Sequence, residues 1–204
     1  MKIEVNANSS IRIESDRVIY FDPFQIKEER HDADIIFVTH DHFDHFSLED
    51  IKKIEKKDTA YVIPECMYNL LGGENVITVV PGQTVDVEGL KTRTIPSYNI
   101  GKPFHPKEKG YIAYIVEIEG QWVYVAGDCD ANEDNRKVSC DIALVPIGGK
   151  YTMNFKEAAG LINQIRPKLA IPTHYGDVAG DKKDGGRFSE LVDPSIEVKL
   201  LLHA

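Results

Sequence analysis

Ile35-Ile36-Phe37-Val38 runs directly into Thr39-His40-Asp41-His42-Phe43-Asp44-His45. The apolar run is short, partly β-branched and uncharged, which is how a buried parallel strand reads. The histidines therefore stand where such a strand ends, the place where ligand sites collect in open α/β sheets. Imidazole nitrogen and carboxylate oxygen suit zinc and its neighbours as ligands. His40 and His42 are two apart, so an extended backbone points them the same way. If the chain then turns helical, Asp44 and His45 diverge by about 100°. One segment thus offers a histidine pair to one metal and an Asp-His pair to a second, and catalytic two-metal sites use separations of about 3.5–4 Å. The competing reading is a solvated, acidic, histidine-rich loop.

His40-x-His42-x-Asp44-His45 after a buried strand resembles the signature of the metallo-β-lactamase fold hydrolases. That resemblance implies an α/β (α+β) chain folded as a four-layered αββα sandwich. A length of 204 residues fits a single domain with a real core. Hydrophobic content of 42% and charged content of 28% are ordinary for a globular chain. No stretch approaches the roughly 20 apolar residues of a membrane helix. Met1-Lys2-Ile3-Glu4-Val5 carries no signal-peptide core. Cys66, Cys129 and Cys140 form no C-x-x-C pair, as in a reducing compartment. A cytoplasmic enzyme is the expectation. A net charge of −9 argues against nucleic acid as partner. Cys66 and Cys140 read as core residues; Cys129 reads as a small buried side chain or a reactive thiol.

In chain order, the first third reads as a meander of short strands, Lys2 to Ala7, Ser10 to Glu14 and Arg17 to Phe21, stopped by Asp22-Pro23. Asp22 by itself is a turn aspartate before proline. Ser47 and Asp50 cap a helix ending near Asp58. Ala60 to Ile63 is a strand, Glu65 to Leu71 a helix stopped by Gly72-Gly73, and Val76 to Val80 a strand. Two hairpins follow, turning at Glu88-Gly89 and at Glu119-Gly120. The second runs into Gly127-Asp128. Asp141 to Ile147 is buried strand. Asn154 and Glu157 box the start of a helix whose Phe155, Ala158, Ala159, Ile162 and Ile165 share one face. Lys168 to Pro172 is a strand leading to His174. Residues 176–187 show no apolar period and read as a loop beside the site. Ile196 to Leu202 reads as a closing strand.

The resemblance implies roles residue by residue. Asp22 lies beneath the histidine loop as a support. Asp128 bridges two metals, and glycine before it lets backbone come close. Asp44, His45 and His174 hold one metal; His40 and His42 hold the other. Most relatives place a further histidine after the strand ending near Ile95, but this chain reads Pro96-Ser97-Tyr98-Asn99. His105 is the candidate replacement, with substrate contact or a surface position as alternatives. Lys102, Lys107 and Lys109 around it read as a solvated loop or as a cradle for an anion. Tyr98, Asn99, Lys150 and Tyr175 are candidate substrate contacts. Two divalent ions are implied, zinc first, manganese or iron otherwise. Asp44 would hold and deprotonate a metal-bridged hydroxide. The implied activity is hydrolysis of a small ester, anionic or not, a lactone or phosphoester. Gly148-Gly149-Lys150-Tyr151-Thr152-Met153 resembles the branch of ascorbate-6-phosphate lactonase-like proteins and N-acylphosphatidylethanolamine-type phospholipases. A phosphodiesterase or nuclease, and a non-catalytic metal-sensing domain with an incomplete first site, are the alternatives.

Overall fold

The computed structural model describes residues 1–202. Its strands are β1 (Lys2–Val5), β2 (Ile11–Glu14), β3 (Val18–Phe21), β4 (Ala33–Phe37), β5 (Glu55–Pro64), β6 (Val76–Val79), β7 (Thr84–Val87), β8 (Leu90–Pro96), β9 (Ile112–Ile118), β10 (Gln121–Val125), β11 (Ile142–Pro146), β12 (Leu169–Thr173) and β13 (Glu197–Val198). The helices are α1 (Leu48–Ile54), α2 (Phe155–Ile165) and α3 (Asp184–Leu191). One sheet runs β1-β2-β3-β4-β5-β6 and the other β13-β12-β11-β10-β9-β8-β7. Each begins as an antiparallel meander and becomes parallel, from β3 onward in the first and from β10 onward in the second.

Strand alternation makes the layers, because successive side chains point to opposite faces. On β4, Ile35 and Phe37 enter the core between the sheets, while Ile36 meets Ile51 and Ile54 of α1. On β11, Ile142 and Leu144 face the same central core, while Ala143 and Val145 pack under Ala158, Leu161 and Ile162 of α2. Two sheets face to face, each with helix on its outer side, give the αββα sandwich. Among the described residues no helix is long and apolar enough to cross a membrane.

Several expectations are corrected. Helix α1 stops at Ile54 rather than near Asp58, because Thr59 folds the chain into β5: its Oγ accepts from Lys56 N at 2.8 Å and donates to the Ala33 carbonyl at 2.7 Å. Residues 65–71 form one 3-10 turn, Glu65–Met67, not a helix. Met67 is buried there, while Tyr68 and Leu70 face outward, so no apolar stripe supports further turns. The stretch 176–187 contains the start of α3, anchored by fully buried Phe188. Gly185 is needed in that helix, since a Cβ there would meet Tyr175 Oη at 2.5 Å. The closing strand is two residues long; Leu201 and Leu202 pack on the core without a ladder. Cys66 is exposed and Cys140 half-buried.

Candidate metal centre

His40, Asp128 and His174 follow the ends of β4, β10 and β12, and Asp22 follows β3. The sandwich thus gathers four strand ends at one edge. Asp22 is fully buried and organises the histidine loop. Its carboxylate accepts from Thr39 N, from Thr39 Oγ and from His45 Nδ1, each at 2.7 Å. Thr39 spends its hydroxyl proton on Asp22, so at 2.9 Å it accepts from His40 Nδ1. Both imidazoles are thereby oriented from behind, with Nε2 turned inward. Gly127 lets this happen: a Cβ there would lie 3.0 Å from Thr39 Cβ, and its φ of +61° suits glycine.

The inward atoms converge. His40 Nε2 is 3.1 Å from His42 Nδ1, which is 2.9 Å from His105 Nε2. His174 Nε2 is 3.1 Å from Asp44 Oδ2, and His45 Nε2 is 3.6 Å from it. Asp128 reaches both groups: Oδ1 is 3.3 Å from His45 Nε2, and Oδ2 is 3.3 Å from His174 Nε2 and 3.5 Å from His105 Nε2. Ligand atoms of His40, His42 and His105 lie within 4.8 Å of one another, as do those of Asp44, His45 and His174 and those of His40, His45 and Asp128. His42 is half-buried; the other six residues are buried.

This donor set fits divalent metal. His45 Nε2 and Asp128 Oδ1 are buried without a hydrogen-bond partner, which an occupied site would cure. Three imidazoles within hydrogen-bond distance, with two carboxylates beside them, form a nitrogen and oxygen set suited to zinc. Charge is divided sharply inside the cluster. Burial opposes ionisation of Asp128, but His174 and His45 overcome it and hold its carboxyl well below the usual range. Burial also opposes charge on His45, yet Asp128 and Asp22 keep its pKa well above the ordinary value. Burial, with His45 alongside, pushes His40 well down. Burial brings His105 to about 4, leaving its ring neutral with a lone pair to donate.

His105 reaches the cluster through a loop that the strand pattern did not reveal. Asn99 N donates to the His105 carbonyl at 2.9 Å and closes it. Asn99 Nδ2 donates to the carbonyls of Phe104 at 3.1 Å and Tyr151 at 2.6 Å. It also stands 3.1 Å from His105 Nδ1, so Asn99 acts as a brace for that ring, while its Oδ1 is buried and unpartnered. Tyr98 donates to Asp134 at 3.1 Å and is nearly covered. Tyr175 is buried in the core under α3. Lys150 is exposed, with its Nζ 4.7 Å from the centre of the Tyr151 ring. Of the three lysines offered as a solvated loop or an anion cradle, Lys102 is bonded to Asp130 and to the Thr152 carbonyl and Lys107 to Asp134 at 3.0 Å, while Lys109 is exposed. Cys129 is the buried alternative, its thiol pushed up to about 12 by burial.

Two residues were not legible in advance. Asn8, in the β1–β2 turn, donates from Nδ2 to Asp44 Oδ2 at 3.3 Å, and its carbonyl accepts from His174 N at 2.9 Å. It ties the two residues together in a left-handed backbone, φ 45°. Sequence shows there only a polar Asn-Ser-Ser turn. Tyr111 donates to Asp41 at 2.6 Å, and its ring lies 5.1 Å from that of His40. Nothing local marks that aromatic as a neighbour of the histidines.

Fold and site together define a metal-centred sandwich of a known kind. The sequence model of the beta-lactamase superfamily domain matches residues 2–174, and the chain belongs to that superfamily. Within it, the chain is similar over its whole length to UPF0173 metal-dependent hydrolases. The one from Methanosarcina barkeri is 30% identical, over 99% of this chain and 95% of its own length. That from Thermococcus onnurineus is 28% identical, over 98% and 96%. The solved structure of a protein from Parabacteroides distasonis matches with TM-score 0.83 at 28% identity, covering 97% of this chain and 91% of that one. Igni18, a metallo hydrolase from Ignicoccus hospitalis, shares the fold with TM-score 0.78 at 22% identity, over 97% and 93%. By the Methanosarcina barkeri match the chain belongs to the UPF0173 metal-dependent hydrolase family.

Proposed function

We propose that the chain holds two divalent ions, zinc first, and hydrolyses a small ester, a lactone or phosphoester. His40, His42 and His105 would hold one ion, Asp44, His45 and His174 the other, and Asp128 both. The observation that supports this most strongly is the reach of Asp128, whose carboxylate lies 3.3 Å from His45 and His174 and 3.5 Å from His105. One acid touching members of both triads suits a bridging ligand. The place of His105 beside His42 supports a complete first triad over a sensing domain with a gap in it. When bound, the ions supply an activated water at neutral pH and polarise the scissile group.

The residues do the rest. Asp22 and Thr39 orient His45 and His40 from behind. Asp44 has Oδ2 engaged with Asn8 and His174, and its other oxygen takes the water's proton and returns it to the leaving group. Burial of the cluster keeps bulk water from screening these charges. Asp44→Asn is expected to keep most of its metal and lose turnover by about 10²–10⁴-fold. Metal content and kcat on a generic ester, measured side by side, test this. Turnover equal to wild type would remove Asp44 from the chemistry.

A further inference from the structure

The side chains next to the metal cluster that face outward are apolar. Phe43 sits between His42 and Asp44 and is 68% exposed. Phe104 immediately precedes His105 and is 40% exposed; Ile100, on the same loop, is 60% exposed. Isolated exposed hydrophobics are ordinary on any surface. These are different in being attached to cluster residues and braced. The Phe43 ring meets Phe24 edge-on at 5.9 Å, and the Phe104 ring meets Tyr151 edge-on at 4.8 Å. Two aromatic pairs therefore stand on separate loops, one beside His42 and Asp44 and one beside His105. Holding such rings outward in water serves no core, and the central and outer cores are complete without them.

Two of the cations nearby are already spent, while Lys109 and Lys150 are exposed and form no ion pair among the described residues, Lys150 lying with its Nζ 4.7 Å from the centre of the Tyr151 ring. Lys102 is tied to Asp130, and Lys107 to Asp134 at 3.0 Å and Glu133 at 3.5 Å. Each pair neutralises charge that an anionic substrate would need. The chain's net charge of −9 adds a general repulsion of anions.

Resting on the hydrolase reading above, we infer that the substrate is a carboxylic ester or lactone whose acyl part is an apolar chain, seated between Phe43 and the Phe104–Tyr151 pair. The step balances without a further reactant. The water oxygen bonds to the acyl carbon, the acyl C–O bond to the alcohol oxygen breaks, and the leaving alkoxide takes the proton held by Asp44. The products are a carboxylic acid with an apolar chain and an alcohol, which in a lactone remain one molecule.

The test uses zinc-loaded wild type, Phe43→Ala and Phe104→Ala, each checked for metal content. Rates are measured on p-nitrophenyl acetate, p-nitrophenyl octanoate and bis(p-nitrophenyl) phosphate, and binding of octanoate and acetate by calorimetry. We expect kcat/KM to rise about tenfold from acetate to octanoate, since each covered methylene adds to binding. Either substitution should reduce that ratio to about twofold at unchanged metal content, and octanoate should bind wild type more tightly than both variants. Equal rates on the two esters, or faster cleavage of the phosphodiester, would overturn the apolar-acyl assignment and leave the hydrolase reading standing. Cleavage of none of the three would count against the hydrolase reading, and octanoate binding no tighter than acetate binding would then overturn the assignment separately.

Discussion

Asp22→Ala is expected to destabilise the metal-free protein by about 3–5 kcal/mol, the range for removing one partner of a buried charged pair. Three donors lose their acceptor at once: Thr39 N, Thr39 Oγ and His45 Nδ1. All are buried, so water does not replace it cheaply. The damage spreads to both halves of the site, because Thr39 also fixes His40. Asp22 takes φ of +47°, an uncommon conformation for a non-glycine residue, and that strain is borne where it places the carboxylate under the loop. Denaturant titration of the metal-free variant measures the cost. A loss under about 1 kcal/mol would mean that the loop is held by something else.

Gly148→Ala is the second large effect. The residue lies between β11 and α2, outside every ligand group. A Cβ there would stand 2.4 Å from the His174 carbonyl oxygen and 3.0 Å from Ala179 Cβ. The first contact is with backbone, so no rotamer relieves it, and the His174 loop must move. Overpacking of this kind costs about 1–3 kcal/mol. Displacing the His174 backbone should weaken metal binding by about 10–100-fold, as loss of a supporting contact does elsewhere. Gly160→Ala is the control: it lies on the exposed side of α2 with nothing within 4 Å of an added Cβ. It should bind metal as wild type does. Wild-type affinity in Gly148→Ala would show that the position of His174 tolerates the shift.

The parts of this architecture that were readable in sequence are those written in local periodicity. Ile35 to Val38 followed by His40, His42, Asp44 and His45 specifies strand, then loop, within one short segment. Gly127-Asp128 and His174 stand at strand ends that alternation and hydrophobicity already delimit. What was hidden depends on contacts between distant segments. Asn8 meets Asp44 and His174 only once the first sheet and the second close on each other. Lys102 and Lys107 beside His105 read as a solvated loop or an anion cradle, and their pairing with Asp130 and Asp134 from another loop is visible only in the fold. Helix α3 was missed because Gly185 and Gly186 signal a break, whereas here Gly185 clears space for the Tyr175 ring. In each case the sequence preference was real, and tertiary packing overrode it.

Metal stoichiometry tests the central claim most directly. Wild type and His105→Ala would be freed of metal with chelator, reloaded with zinc, passed over a desalting column and submitted to elemental analysis. Two ions per chain in wild type and about one in His105→Ala is the result expected, since the loss of one of three imidazole ligands leaves the Asp44, His45 and His174 group whole. One ion or fewer in wild type, unchanged by the substitution, would contradict a two-metal centre and place His105 outside it.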